Sequence, residues 1–291
     1  MQKDLSISKK IFYDSWQNNF FKFSVIFFIF ICLFAFIYPE ISSIKAEKMN
    51  IKSKFLPPIF FEGFSWSHLL GTDQLGRDML MRCLVGLRFS LIIGFTSVFI
   101  MLVFGCLVGI ISGFKSSWVD VVIMRITDAQ LSIPMVILAI SILGVTRPNL
   151  ASIILVLALS GWPLYARVSR SMALIERDKE YVRGARILGA SDFRIIFLLV
   201  IPIIIPPIAF VSVLDIARMM IFEAILGFLG LGVQPPTPTF GNIIADARKY
   251  LINAWWIATM PGVFLVITLV TINFIGSTLE KSKNKIFGEG S

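Results

Sequence analysis

Six stretches of this chain carry no charged side chain over roughly the length a bilayer demands, and that limits its fold more than any motif does. They run 23–39, 89–114, 129–146, 148–166, 195–214 and 250–279. A spanning helix needs roughly 17–25 apolar residues at about 1.5 Å rise each. Five runs meet that length outright, and the first does so comfortably once Phe20 and Phe21 are counted. In hydrocarbon no water satisfies a backbone N–H or C=O, so each run must close its hydrogen bonds internally as a helix. The expected fold class is an all-α integral membrane protein with six transmembrane helices.

Composition agrees. The chain is 56% hydrophobic and only 15% charged, too little charge to cover a soluble domain. Its net charge of +9 does not call for nucleic acid, because no basic patch is interleaved with exposed aromatics. With the N-terminus inside, the basic residues largely obey the positive-inside rule. Lys3, Lys9, Lys10, Lys22 and Lys115 are then cytoplasmic, as are Arg167, Arg170, Arg177, Lys179, Arg183, Arg186 and Arg194, and finally Lys281, Lys283 and Lys285. The segment from Glu40 to Arg88 opposes the rule, with its lysines and arginines partly offset by Glu40, Glu47, Glu62, Asp73 and Asp78.

The expected division follows. Residues 1–21 are a cytoplasmic tail whose Ile11, Phe12, Trp16 and Phe20 suit an interfacial helix. Residues 22–39 are the first transmembrane helix, and 40–88 an extracytoplasmic loop with an amphipathic helix. Residues 89–280 form a five-helix core with a cytoplasmic loop at 167–198, and 281–291 a cytoplasmic tail ending flexibly in Gly288-Glu-Gly-Ser291. Lys9 and Lys10 before Phe23 imitate a signal peptide, but Tyr38-Pro39-Glu40 offers no small-residue cleavage site, so the first span is an anchor. Cys32, Cys83 and Cys106 lack metal spacing.

Local chemistry marks several places within this frame. Lys179 to Leu188 favours helix, with Gly184 and Ala185 leaving one face small. Gly189 stands where a helix needs a left-handed terminator, and Ser191 can cap the next helix. Pro202 and Pro206-Pro207 must bend the fifth span as it begins. Gly105, Gly109 and Gly113 recur every fourth residue, a stripe that lets a neighbouring helix approach closely. Arg125 and Asp128 share a face of the third span, which Pro134 should kink. Trp162 and Tyr165 read as aromatics at the interface. Met79, Leu80, Leu84 and Leu87 have helical spacing, with Thr72 or Asp73 as cap.

Asp215, Arg218 and Glu223 are charges inside the fifth span, where charge is costly and usually faces a pathway or a partner subunit. Asp215 and Arg218 are three apart and can pair. His68 stands without a second ligand, so no metal site is expected. No Gly-Lys-Ser/Thr follows a glycine-rich loop, and neither Gly-x-Ser-x-Gly nor His-Glu-x-x-His occurs, so neither ATP hydrolysis nor proteolysis has support here.

The stretch Tyr181 to Pro202 resembles the coupling loop of permeases in the ATP-binding-cassette importer class. Gly184-Ala185, Gly189 and Pro202 match its pattern, although Arg183-Gly184 replace the family's leading Glu-Ala. Leu70-Gly-Thr-Asp-Gln-Leu-Gly-Arg-Asp78 resembles a signature of the dipeptide, oligopeptide and nickel permeases, carried by Gly71, Thr72, Asp73, Gly76, Arg77 and Asp78. Phe228-Leu-Gly-Leu-Gly232 and Gln234-Pro-Pro-Thr-Pro238 resemble that family's outer loop, a rim suited to a binding protein.

The resemblance implies a type I importer permease fold in a bacterial cytoplasmic membrane, with both termini inside. It implies ATPase coupling through Arg183, Gly184, Ala185, Leu188, Gly189, Ala190, Ser191 and Pro202. The implied partners are a second homologous permease, two cytoplasmic ATP-binding subunits and an extracytoplasmic substrate-binding protein; ATP hydrolysis falls to the ATP-binding subunits, and no cofactor is implied. The cargo stays open between dipeptides, oligopeptides, nickel and metal–chelator complexes. A stand-alone channel or secondary transporter is the alternative of a different class, and it would need inverted repeats or a charge relay.

Overall fold

A computed structural model of the chain describes residues 7–115 and 118–288. Lys3 and the last three residues of the expected tails lie outside the described residues. Helix α1 (Ile7–Trp16) and α2 (Asn19–Ile41) are separated by a break at Asn18, whose side chain caps α2 by accepting from Phe20 N at 2.9 Å. A folded loop leads to α3 (Met79–Lys115), followed by α4 (Trp118–Leu131), α5 (Met135–Leu143) and α6 (Leu150–Glu176). The short α7 (Glu180–Ile187) and α8 (Asp192–Ile195) precede α9 (Ile201–Phe228), α10 (Phe240–Ala247) and α11 (Trp256–Gly288).

Among the described residues, five helical segments are long and apolar enough to cross a membrane: α2, α3, α6, α8 to α9, and α11. The pair α4 and α5 makes a sixth when taken as one span, bent by 86° at Ser132–Pro134. The expected kink at Pro134 is therefore real and far sharper than a proline alone produces. It splits the third span into two separate helices.

The glycine stripe packs against α6, which runs parallel to α3. A Cβ at Gly105 would lie 2.6 Å from Trp162 O, at Gly109 2.1 Å from Ala166 O, and at Gly113 2.6 Å from Arg170 O. Only glycine lets these backbones approach so closely. On another face of α3, antiparallel α9 brings Ile216 and Met220 over Gly94. The core thus forms around α3 and includes Leu91, Val98, Met101, Leu157, Tyr165, Ala217 and Met219.

At the α7 end of the bundle, α1 straps the last turns of α11. Ile11, Phe21 and Leu279 are buried together, the Ser15 and Ser282 hydroxyls lie 2.9 Å apart, and Lys285 Nζ meets Asp14 Oδ1 at 2.8 Å.

Two expectations about the 40–88 segment are corrected. Met79, Leu80, Leu84 and Leu87 do not form a separate amphipathic helix; they are the first turns of α3, continuous with the second span. The cap is neither Thr72 nor Asp73 but Asp78, whose Oδ1 accepts from Met81 N at 2.8 Å. Counting uncharged residues started the span too late because Arg88, and Arg82 before it, interrupt the run, yet Arg88 pairs with Glu40 at 2.6 Å and Arg82 is only 2% exposed and lies 3.5 Å from Asp73. A charge with a partner can be buried where an unpaired one cannot.

Candidate functional site

The corner between α7 and α8 is built from its sequence as expected. The Gly189 φ is +83°, the left-handed conformation that favours glycine. Ala190 N donates to Ala185 O and Gly189 N to Arg186 O, both at 3.0 Å, the paired bonds of a Schellman close. Ser191 then caps α8, accepting from Arg194 N at 3.4 Å. Arg186 reaches Asp192 across the corner at 3.6 Å and stacks over the Phe114 ring at 5.0 Å.

This corner is anchored on one side and open on the other. Val182 is fully buried and Ile195 nearly so, fixing both helices to the bundle. Ile187 is 86% exposed and Leu188 88%, with Phe193 also exposed. Added Cβ atoms at Gly184 and Gly189 would meet nothing within 4 Å. Of the eight residues expected to couple, Arg183 through Ser191 lie on this exposed corner. Tyr181 donates to Glu176 Oε2 at 2.6 Å, and burial followed by that carboxylate raises its phenol above the ordinary value.

Pro202 sits apart from the corner, at the start of α9. It has no N–H to donate and would crowd the carbonyl one turn back. The chain accommodates it with a π-helical turn over Ile196–Val200, where Ile201 N reaches back to Ile196 O. Pro202 therefore aims α9 rather than contributing surface. Elsewhere in the bundle, Asp120 of α4 holds Arg170 of α6 bidentately at 2.5 and 2.6 Å and accepts from Ser112 of α3 at 2.5 Å. Sequence reasoning missed this tie, because its partners are far apart along the chain.

Asp215 and Arg218 do pair, Oδ1 to Nη2 at 2.9 Å. The third member, Tyr165 of α6, donates to Asp215 Oδ2 at 2.5 Å. Tyr165 is buried, not interfacial as its sequence context implied, and so is Trp162, whose Nε1 donates to Gln130 Oε1 at 3.0 Å. A phenol in the middle of a span needs a partner, which was the signal available. Beside the trio lies a cavity of about 460 Å³ between α6 and α9, with Lys283 of α11 also in its wall. The Arg218 side chain is 44% exposed and Asp215 18%. An arginine facing lipid at that depth would cost about 2.5–3.5 kcal/mol on insertion scales.

Glu223 does not join them. It is fully buried among α3, α9 and α10, accepting from Ser90 at 2.6 Å, and so faces neither a pathway nor a subunit surface. The correction follows from helix geometry: Glu223 is eight residues beyond Asp215, yet the bundle covers that turn and leaves the Arg218 turn open.

The segment Gly71–Asp78 has a structural account. Asp73 accepts from Leu75 N at 2.8 Å, Arg77 N at 3.0 Å and Arg77 Nε at 2.6 Å, all while 1% exposed. Gly71 (φ +77°) and Gly76 (φ +71°) are left-handed, and a Cβ at Gly76 would lie 1.8 Å from Asn50 O. Thr72 bridges to Asp78, and Trp256 Nε1 donates to Thr72 O at 3.0 Å, docking the loop on α11. His68 is engaged by Asp78 at 2.8 Å. At the same end, Asn242 of α10 donates to Val233 O at 3.1 Å and Thr237 O at 2.8 Å, ordering the proline-rich loop.

Residues 105–282 match the family model described as "Binding-protein-dependent transport system inner membrane component". The di/tripeptide transport system permease protein DppC of Pseudomonas aeruginosa is 38% identical, over 77% of this chain and 74% of the relative. The dipeptide transport system permease protein DppC of Haemophilus influenzae is 32% identical over 91% and 90%. In fold, the chain resembles an inward-facing structure of the MetNI methionine ABC transporter, with TM-score 0.57 and 21% identity, covering 70% of this chain and 97% of that one.

Proposed function

The chain belongs to the family of binding-protein-dependent transport system inner membrane components, and from that membership we propose that it lines the translocation path of an ATP-driven importer of short peptides. Peptide cargo is favoured over nickel or a metal chelate by the names of the similar permeases. The chain works with a second homologous permease, two cytoplasmic ATP-binding subunits and an extracytoplasmic binding protein. Both termini and the α7–α8 corner lie in the cytoplasm, the 42–78 and 229–239 loops outside. Residues 1–21 and 281–291 are cytoplasmic tails, whose described parts clasp each other through Ser15–Ser282 and Asp14–Lys285, and 89–280 are the core.

One observation carries the coupling role. The Leu188–Gly189 corner is rigidly closed and anchored through Val182, yet offers Ile187 and Leu188 almost wholly exposed. A short amphipathic element held rigidly with its apolar tip free is suited to a groove on a partner. ATP-driven closure of the partner subunits moves α7, and the π turn and Pro202 pass that motion into α9 and its Asp215 face. Proteoliposomes holding the whole transporter, its binding protein and internal ATP test this. Uptake of Ala-Ala should require ATP; equal uptake by this chain alone, with no ATPase present, contradicts it.

A further inference from the structure

We propose that Asp215 and Arg218 receive the two charged ends of a short zwitterionic peptide, the carboxylate taking its ammonium and the guanidinium its carboxylate. The inference rests on the peptide reading above. Asp215, near the middle of α9, lines the α6–α9 cavity, and Arg218, one turn further along the same helix face, pairs with it at 2.9 Å. When the cavity is empty each charge satisfies the other, so no stranded charge opposes folding. A peptide brings the complementary pair and exchanges both contacts together.

Four further features fit that occupant. Tyr165 holds the other oxygen of Asp215, so the carboxylate keeps its aim when Arg218 turns to a ligand. Arg218, 44% exposed, retains donors in the fork geometry that matches a carboxylate. Most of the remaining wall, including Val168, Met172, Ile208 and Val211, is apolar, with Lys283 the one other charged residue lining it, so it accepts varied side chains without choosing among them. The cavity's volume of about 460 Å³ lies within the roughly 300–1,000 Å³ usual for small-ligand sites.

The purified whole transporter in nanodiscs, without its binding protein, should bind labelled Ala-Ala. N-acetyl-Ala-Ala and Ala-Ala amide should each compete roughly tenfold or more weakly, since each leaves a charge unmatched. Asp215→Asn should abolish discrimination against the acetylated peptide only, and Arg218→Gln discrimination against the amide only, at unchanged complex abundance. Asp215→Glu should restore the first. If wild-type transporter imports Ala-Ala but both variants keep wild-type discrimination, or no binding occurs at the permease, this site is wrong and the face serves the second permease. If wild-type transporter with its binding protein imports no peptide at all, the peptide reading fails first.

Discussion

Tyr165 of α6 donates its hydroxyl to Asp215 of α9 at 2.5 Å, and that carboxylate holds Arg218 one turn along at 2.9 Å. One bond thus joins the helix that packs most closely on α3 to the helix that follows the α7–α8 corner. Tyr165→Phe removes a hydrogen bond to a charged group, a loss of about 1.5–3 kcal/mol. In a double-mutant cycle, Tyr165→Phe and Asp215→Asn should be non-additive by about 0.5–3 kcal/mol. Thermal unfolding of the purified transporter reads this; additive losses would show that the bond does not couple α6 to α9.

Close approach of α3 and α6 rests on Gly109. Its Cβ would fall 2.1 Å from Ala166 O and 2.2 Å from Ser169 Oγ, and a backbone carbonyl cannot step aside. Gly109→Leu should therefore prevent assembly, leaving little folded transporter on size-exclusion chromatography. Gly184→Leu, where nothing lies within 4 Å, should leave the yield of folded chain unchanged. Equal loss in both variants would mean that glycine content alone, not packing, governs folding.

Spans and corner were legible in the sequence for a physical reason: both rest on local rules. Uncharged length dictates a helix, Gly189 a left-handed stop, Ser191 a cap. What escaped reading is non-local. Arg88 and Arg82 hid the start of α3 because their partners, Glu40 at the end of α2 and Asp73 in a loop, lie outside it. Asp120 finds Arg170, and Tyr165 finds Asp215, only after the bundle forms. Glu223 looked like its neighbours on the helix, and only tertiary cover separates it from Arg218. The 86° bend after α4 likewise exceeds what Pro134 encodes alone.

The signature loop should fail through geometry rather than charge alone. At Gly76, φ is +71° and a Cβ would penetrate Asn50 O, so Gly76→Ala should unfold the 50–78 loop and destabilise the start of α3. Limited proteolysis should then cut near Lys52 or Lys54 faster than in the unaltered protein. Unchanged resistance would remove this loop's structural role.

Topology gives an independent check. With the three native cysteines replaced, a cysteine at Ser191 should react with an impermeant thiol reagent only after the inner face is opened. One at Gln234 should react on intact spheroplasts. Labelling at 191 from outside would invert the orientation proposed here.

The central claim is that the exposed tip of the α7–α8 corner seats an ATP-binding subunit. Leu188 is 88% exposed, so a change there should spare the fold, whereas Gly189, although open space surrounds it, holds a φ of +83°, so Gly189→Arg also strains the corner itself. The direct measurement is co-purification of the ATP-binding subunits with Leu188→Asp, alongside Gly189→Arg, each normalised to inserted permease. The account predicts that both variants insert at wild-type abundance, lose the ATP-binding subunits, and lose ATP-dependent uptake with them. Wild-type co-purification and uptake in Leu188→Asp would contradict it.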